Sequence, residues 1–262
     1  MLGAIIGDIV GSPYEFNSDK TKDFVLLAPY CNPTDDSIMT IAVGCACVEA
    51  DLDDEENFKE ILADKMREIG RQYPEAGYGA GFYNWLMDDD AEAYGSFGNG
   101  SAMRVSPVAW AADTLEDAER LAKWSAEVTH NHPEGIRGAQ AVAAAIFLAR
   151  SNADKDGIRD YIEKNYYSLD FTVDGIRDGY SFNVTCDGSV PQAIVCFLDS
   201  EDFEDAIRNA VSLGGDADTQ ACIAGAIAEA YYGIPDDLQE EIFEYIDEVL
   251  QDYYWSYSEE LY

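Results

Sequence analysis

The chain has 262 residues, with 16 Lys and Arg against 52 Asp and Glu, a formal net charge of −36, and 47% of its residues are apolar. That apolar content over this length supports a buried core and excludes a disordered chain. The negative surface excludes nucleic-acid polymers and anionic membranes as partners drawn by bulk charge.

In chain order, the opening run Met1-Leu2-Gly3-Ala4-Ile5-Ile6-Gly7-Asp8 is apolar. Asp8 interrupts it too early for a secretory signal, so a cytoplasmic protein is expected. The run 23–27 is short and apolar, with strand character. Residues 37–50 form an apolar run long enough for a buried helix. In 57–73 the apolar residues Phe58, Ile61, Leu62, Met66 and Ile69 recur by three and four, which predicts an amphipathic helix. Segments 115–128, 138–150, 203–213, 219–232 and 236–254 read the same way. The run 193–198 follows Pro191 and suits a helix start as well as a strand. No linker, low-complexity tract or membrane-length apolar run of roughly 18 residues interrupts the pattern. The expectation is an all-α chain, a compact helical bundle forming one domain over 1–262.

Two compositional features have plain structural readings. Helices 138–149 and 219–230 are rich in Ala and Gly, which lets helix axes approach closely. The acidic runs 51–56 and 88–90 are read as solvated surface, favoured near helix N-termini by the macrodipole. The six cysteines, Cys31, Cys45, Cys47, Cys186, Cys196 and Cys222, include no CxxC pair. They are expected to be reduced and buried.

Two acidic clusters differ from the rest. Thr34-Asp35-Asp36-Ser37 and Gly214-Gly215-Asp216-Ala217-Asp218-Thr219 each stand at the entry of an apolar helix. Capping accounts for one Thr or Asp per helix, not three polar residues. Buried carboxylates are costly unless paired or metal-bound, and few Lys or Arg lie nearby in sequence. Hard oxygen ligands of this kind suit Mg²⁺, Mn²⁺ or Ca²⁺. Neither cluster has the twelve-residue spacing of a calcium loop.

Two further segments are unusual. Gly95-Ser96-Phe97-Gly98-Asn99-Gly100-Ser101-Ala102-Met103-Arg104 is a glycine-rich loop whose backbone N–H groups suit a phosphate, without a P-loop lysine. Thr129-His130-Asn131-His132-Pro133 holds both histidines. With no third His or matching Cys pair it reads as a polar pocket wall or a structural pair rather than a zinc site.

Taken together these segments resemble the ADP-ribosylglycohydrolase family. The likeness runs from Gly3-Ala4-Ile5-Ile6-Gly7-Asp8-Ile9-Val10-Gly11-Ser12 to the stretch 224–235. It is sharpest at Thr34-Asp35-Asp36, at 98–104, at Thr129-His130 and at 214–219. The resemblance implies an all-α, orthogonally packed bundle with two Mg²⁺ ions, or Mn²⁺, in a central cleft. By that likeness Thr34, Asp35, Asp36, Asp216, Asp218 and Thr219 would be metal ligands. Gly95, Ser96, Phe97, Gly98, Asn99, Gly100 and Ser101 would form the diphosphate loop, His130 would line the ADP-ribose site, and Tyr78 and Gly79 would lie near a ribose. Glu15 matches a glutamate that in some members sits on a mobile loop beside the metals.

The implied reaction is hydrolysis of the glycosidic bond between ADP-ribose and an acceptor, releasing ADP-ribose. The acceptor is a protein side chain, arginine first, or a small conjugate. Glu15, Asp35 or Asp36 is the candidate general base or acid. Ala217 stands where Ser or Thr is common, which leaves both aspartates in place. The chain is short for the family, which leaves the acceptor open. Two other readings are a non-catalytic ADP-ribose-binding module, against which the complete set of Thr and Asp ligands argues, and a di-metal hydrolase of another nucleotide-derived substrate, which the ligand set alone permits.

Overall fold

A computed structural model describes residues 1–262. Helices account for all its regular structure, and the sole strand-like pairing is an isolated bridge between Gly98 and Thr185. The helices are α1 (Leu2–Gly11), α2 (Asp35–Glu49), α3 (Glu55–Gly70), α4 (Ala80–Met87), α5 (Gly100–Met103), α6 (Ser106–Ala111), α7 (Leu115–Glu127) and α8 (Pro133–Arg150) in the first part of the chain. They continue with α9 (Lys155–Asn165), α10 (Val173–Ile176), α11 (Cys186–Leu198), α12 (Phe203–Leu213), α13 (Ala217–Tyr232), α14 (Asp236–Glu241) and α15 (Glu248–Leu261). No helix is long and apolar enough to cross a membrane.

The amphipathic helices start where side chains supply caps. Asp54 accepts from the N–H groups of Glu56 and Asn57 to open α3, and Thr114 accepts from Asp117 to open α7. Each cap satisfies a donor that the first turn leaves without a partner. On α3 the residues Phe58, Leu62, Met66 and Ile69 are buried, the stripe that the spacing predicts.

The centre is built on small residues. Helices α1 and α13 pack so closely that a Cβ on Gly7 would lie 2.0 Å from the Ala221 carbonyl oxygen. One on Gly3 would lie 2.4 Å from the Gly225 carbonyl, and one on Gly11 2.5 Å from the Asp218 Cα. Glycine at every fourth position therefore makes one face of α1 flat enough for contact backbone to backbone. This contact brings Asp8, near the end of α1, beside the start of α13. All ten residues of α1 are buried.

Three segments depart from the expectations. The run 193–198 lies within α11, with Pro191 inside the helix rather than at its start. Burial on all sides makes the run continuously apolar and hides its period. The run 23–27 is irregular: Arg208 donates to the carbonyls of Lys22 and Phe24, both at 2.8 Å, so those carbonyls are satisfied by a side chain rather than by a strand partner. The helix expected over 236–254 is broken between α14 and α15. Asp247 caps α15 through the N–H groups of Val249 and Leu250, and Gln251 donates to the carbonyls of Phe243 and Ile246 across the break.

All six cysteines are free thiols and buried. Burial pushes Cys45 up to about 11 and Cys186 up to about 12. The acidic runs at 51–56 and 88–90 lie at the surface as expected.

Candidate metal centre and ligand cleft

The start of α2, the start of α13, the end of α1 and the segment after it converge on one point. Asp35 and Asp36 are the first residues of α2, with Thr34 as its N-cap, and Asp218 lies in the first turn of α13. Asp8, Asp36 and Asp218, all buried, place carboxylate oxygens within 4.8 Å of one another. Glu15, Asp216 and Asp218 do the same under the same limit. Asp218 belongs to both groups, so the two adjoin.

Local sequence explains these placements. Gly214 and Gly215 adopt φ of 66° and 81°, a left-handed turn that other residues resist, and the turn delivers Asp216 to the cleft. Gln220 pins the turn by donating to the carbonyls of Gly214 and Asp216, each at 2.9 Å. Asp216 stands at the N-cap position of α13, yet its carboxylate caps nothing. It accepts instead from the Asn99 amide at 2.7 Å. Capping therefore does not explain this aspartate. Thr34 does cap α2, and its hydroxyl donates to Asp8 at 2.6 Å. Asp8 also accepts from the N–H groups of Thr34 at 2.9 Å and Ser37 at 3.0 Å, and from the Ser37 hydroxyl.

The electrostatics are those of an uncompensated anion cluster. None of these carboxylates has a Lys or Arg partner. Burial, then the charges of Asp8 and other neighbours, hold Asp35 and Asp36 well above the usual carboxylate range. Asp218 is held well above it by burial, then by Asp36 and Asp216. Burial raises Asp8 and Asp216, opposed by their hydrogen bonds. Burial, then Asp216 and Asp8, pushes Glu15 up to about 7. The Thr219 hydroxyl donates to one oxygen of Asp36 at 3.3 Å, and the other oxygen is buried with no partner. An orphaned carboxylate oxygen among hard donors, with no cation from the chain, fits a divalent metal ion.

The cluster floors a cleft of about 330 Å³. Its walls include Gly79 to Phe82 on one side and Ser96, Gly98, Asn99, Gly100 and His130 on the other, with the fully buried Arg104 directly behind them. Three of the loop's N–H groups are already used: Gly95 donates to the Asn131 side chain, Gly98 to the Ser96 hydroxyl and Asn99 to the Val184 carbonyl. The N–H groups of Gly100 and Ser101, at the start of α5, have no partner in the chain, and of the two residues Gly100 lines the cleft while Ser101 is buried behind it.

The structure thus brings together Glu15, Asp35, Asp36, Asp216, Asp218, Thr219, Gly79, Ser96, Gly98, Asn99, Gly100 and His130 around one cleft. Other expected residues sit behind it or beside it. Thr34 is turned to Asp8. The Tyr78 hydroxyl donates to the Gly70 carbonyl while its ring packs on Phe82. The Ser101 side chain donates to the Gly135 carbonyl. Phe97 is half exposed and its ring lies 5.5 Å from that of His132. His132 caps α8 through the N–H of Glu134, and His130 bonds Thr129, so the two imidazoles serve different ends. The sequence reading did not name Asp8 as a site residue, nor the Asn99 clasp on Asp216, nor the buried Arg104. For Asp8 a signal existed: a carboxylate in the middle of an apolar run.

A family model described as ADP-ribosylglycohydrolase matches residues 1–261. The chain is 28% identical over 333 residues to ADP-ribosylhydrolase ARH3 of Mus musculus, covering 96% of this chain and 89% of that protein. It is 29% identical over 311 residues to ADP-ribosylhydrolase ARH3 of Homo sapiens, covering 89% and 84%. It is 26% identical over 261 residues to ADP-ribosylarginine hydrolase Tri1 of Pseudomonas putida, covering 89% and 70%. A solved structure described as an ADP-ribosylglycohydrolase-related protein complex shares the fold, with a TM-score of 0.67 over 93% of both chains at 22% identity.

Proposed function

The chain belongs to the ADP-ribosylglycohydrolase family over nearly its whole length, and from that premise we propose that it is a magnesium-dependent hydrolase that releases ADP-ribose from a conjugate. We read residues 1–262 as one functional domain. The observation that carries the metal dependence is the pair of adjoining carboxylate groups sharing Asp218, with no cation from the chain to balance them.

Asp8, Asp36 and Asp218 would hold one ion and Glu15, Asp216 and Asp218 the neighbouring one, with Asp35, Thr219 and Thr34 beside them. Bound there, magnesium or manganese supplies Lewis-acid polarisation and a fixed place for ribose hydroxyls. The rest of the mechanism lies in the chain. The N–H of Gly100 and the ring of His130, both lining the cleft, receive the diphosphate, in a place where the protein's bulk charge would otherwise repel it. Asn99 holds Asp216 in register through a 2.7 Å bond.

Hydrolysis breaks the bond between C1 of the distal ribose and the acceptor atom, and forms a bond from C1 to a water oxygen. The water loses a proton and the acceptor gains one, through an oxocarbenium-like transition state. Glu15 is the group best suited to carry that proton. It is half-buried at the cleft, beside Asp216 and Asp218 and next to where the water would stand. Asp35, half-buried at the start of α2, is the next candidate and Asp36, bonded to Thr219, the third. The acidic cleft suits a cationic acceptor, so ADP-ribosylated arginine is the first substrate to test.

Asp216→Asn combined with Asp218→Asn removes one carboxylate charge from the first group and two from the second. The double variant is expected to fold and to lose magnesium-dependent release of ADP-ribose. Retained turnover would contradict the metal assignment.

A further inference from the structure

Arg104 is the bulkiest of the side chains wholly removed from solvent, yet it has no carboxylate partner. Its guanidinium donates to neutral oxygens alone: the Ser125 carbonyl at 3.1 Å and the Thr129 hydroxyl at 2.9 Å. Its Nε has no partner, and the Phe82 ring lies 5.8 Å away. A buried, unpaired cation is costly, so its retention beside the cleft calls for a task.

The task follows from counting hydrogens. Arginine only donates, so the Thr129 oxygen accepts from it. The hydroxyl's own hydrogen then has one acceptor within reach, Nδ1 of His130 at 2.7 Å. Had Nδ1 carried the proton, two donors would meet on the Thr129 oxygen and a buried hydroxyl hydrogen would be left unpaired. That penalty keeps such a tautomer below about a tenth of the population.

We infer that Arg104 and Thr129 are positioning residues that fix His130 as its Nε2–H tautomer, so that the ring presents an N–H donor to an anionic oxygen in the cleft. The Nε2 edge faces the glycine loop. A Cβ on Gly100 would lie 3.1 Å from it and one on Gly98 3.8 Å, so the absence of side chains keeps that edge open. Phosphate oxygens only accept hydrogen bonds, and a bare ring nitrogen at this place would repel them. Burial, then the charge of Arg104, holds His130 well below its ordinary pKa, so the donor is a neutral ring. The inference rests on the ADP-ribose reading only for the identity of the anion.

The chain has two histidines. His132→Asn keeps a good helix cap and leaves one ring to observe. Long-range ¹H–¹⁵N correlation spectra of histidine-labelled protein then read the tautomer directly. The expected result is a proton on Nε2 and none on Nδ1, unchanged in Thr129→Ser and replaced by a mixture in Thr129→Val. ADP-ribose affinity by calorimetry is expected to fall on the order of tenfold in Thr129→Val and to recover in Thr129→Ser. A proton on Nδ1 in the His132→Asn protein, or an unaltered tautomer in Thr129→Val, would overturn the inference. If Thr129→Val does not fold, the first spectrum still decides. The expected tautomer in a protein that does not bind ADP-ribose would support the positioning role and overturn the ligand reading instead.

Discussion

At the scale of single residues, the carboxylates of the cleft divide by what each one touches. Asp8 is held rigidly by donors from Thr34 and Ser37, three of them on Oδ2 and one on Oδ1, which keeps room for a further partner. Asp36 keeps one oxygen with no partner, and Glu15 sits half-buried with its carboxyl raised to about 7. The acidic clusters at 34–37 and 214–219 were legible in the sequence because polar residues crowd the entry of apolar helices. Asp8 showed only as a carboxylate inside an apolar run, because its partners Thr34 and Ser37 lie at the start of α2, well away from it in sequence. The glycine loop was legible as a loop, but which of its N–H groups remain free depends on Asn131 and Val184, far away in sequence. His130 belongs to this scale too. His130→Ala removes a donor to the ligand and leaves the carboxylates untouched. Steady-state kinetics are expected to show KM raised by roughly tenfold, with kcat changed far less. A large fall in kcat at unchanged KM would count against a binding role.

At the scale of elements, the site depends on how closely α1 approaches α13. Gly7→Ala would place a methyl group 2.0 Å from the Ala221 carbonyl oxygen, a contact no rotamer can relieve. Urea denaturation is expected to show a loss of about 2–3 kcal/mol or more, and calorimetry a weaker affinity for magnesium, since Asp8 would be moved from Asp218. Gly79→Ala is the comparison: its φ is −57° and no atom lies within 4 Å of the added carbon. Its stability is expected to stay within about 0.5 kcal/mol. Equal losses in both variants would contradict the packing argument. The same contact explains what the sequence concealed. Helices with one solvated face, such as α3 and α7, show the 3.6-residue period and were read correctly. Helix α1 and the core of α11 are buried all round, so hydrophobic spacing carries no phase there. The break before α15 was hidden for another reason: Asp247 and Gln251 look like surface residues in sequence and act as caps only once the chain has turned.

At the scale of the whole molecule, the net charge of −36 covers two populations. Most acidic residues form a solvated surface, while Asp8, Glu15, Asp35, Asp36, Asp216 and Asp218 face one another around a cleft. A carboxyl whose folded pKa is raised contributes stability below its unfolded value near 4, and that contribution is lost as pH rises through the folded value. For Glu15 the loss runs from its unfolded value up to about 7, with the more strongly raised aspartates continuing it in the same direction at higher pH. In chelator the thermal midpoint is therefore expected to fall from about pH 5 to about pH 8. Magnesium should raise the midpoint more at the higher pH, because the ion binds the deprotonated cluster. An equal magnesium effect at both pH values, by scanning calorimetry, would mean that the cluster is not where the ion binds. Activity tests the reading most directly. ADP-ribosylated arginine, ADP-ribosylated serine and O-acetyl-ADP-ribose are each incubated with the protein, with magnesium or with chelator, and free ADP-ribose is measured. Release from at least one conjugate with magnesium and none in chelator is the expected result. Tight binding without release, or release at the same rate in chelator, would contradict it.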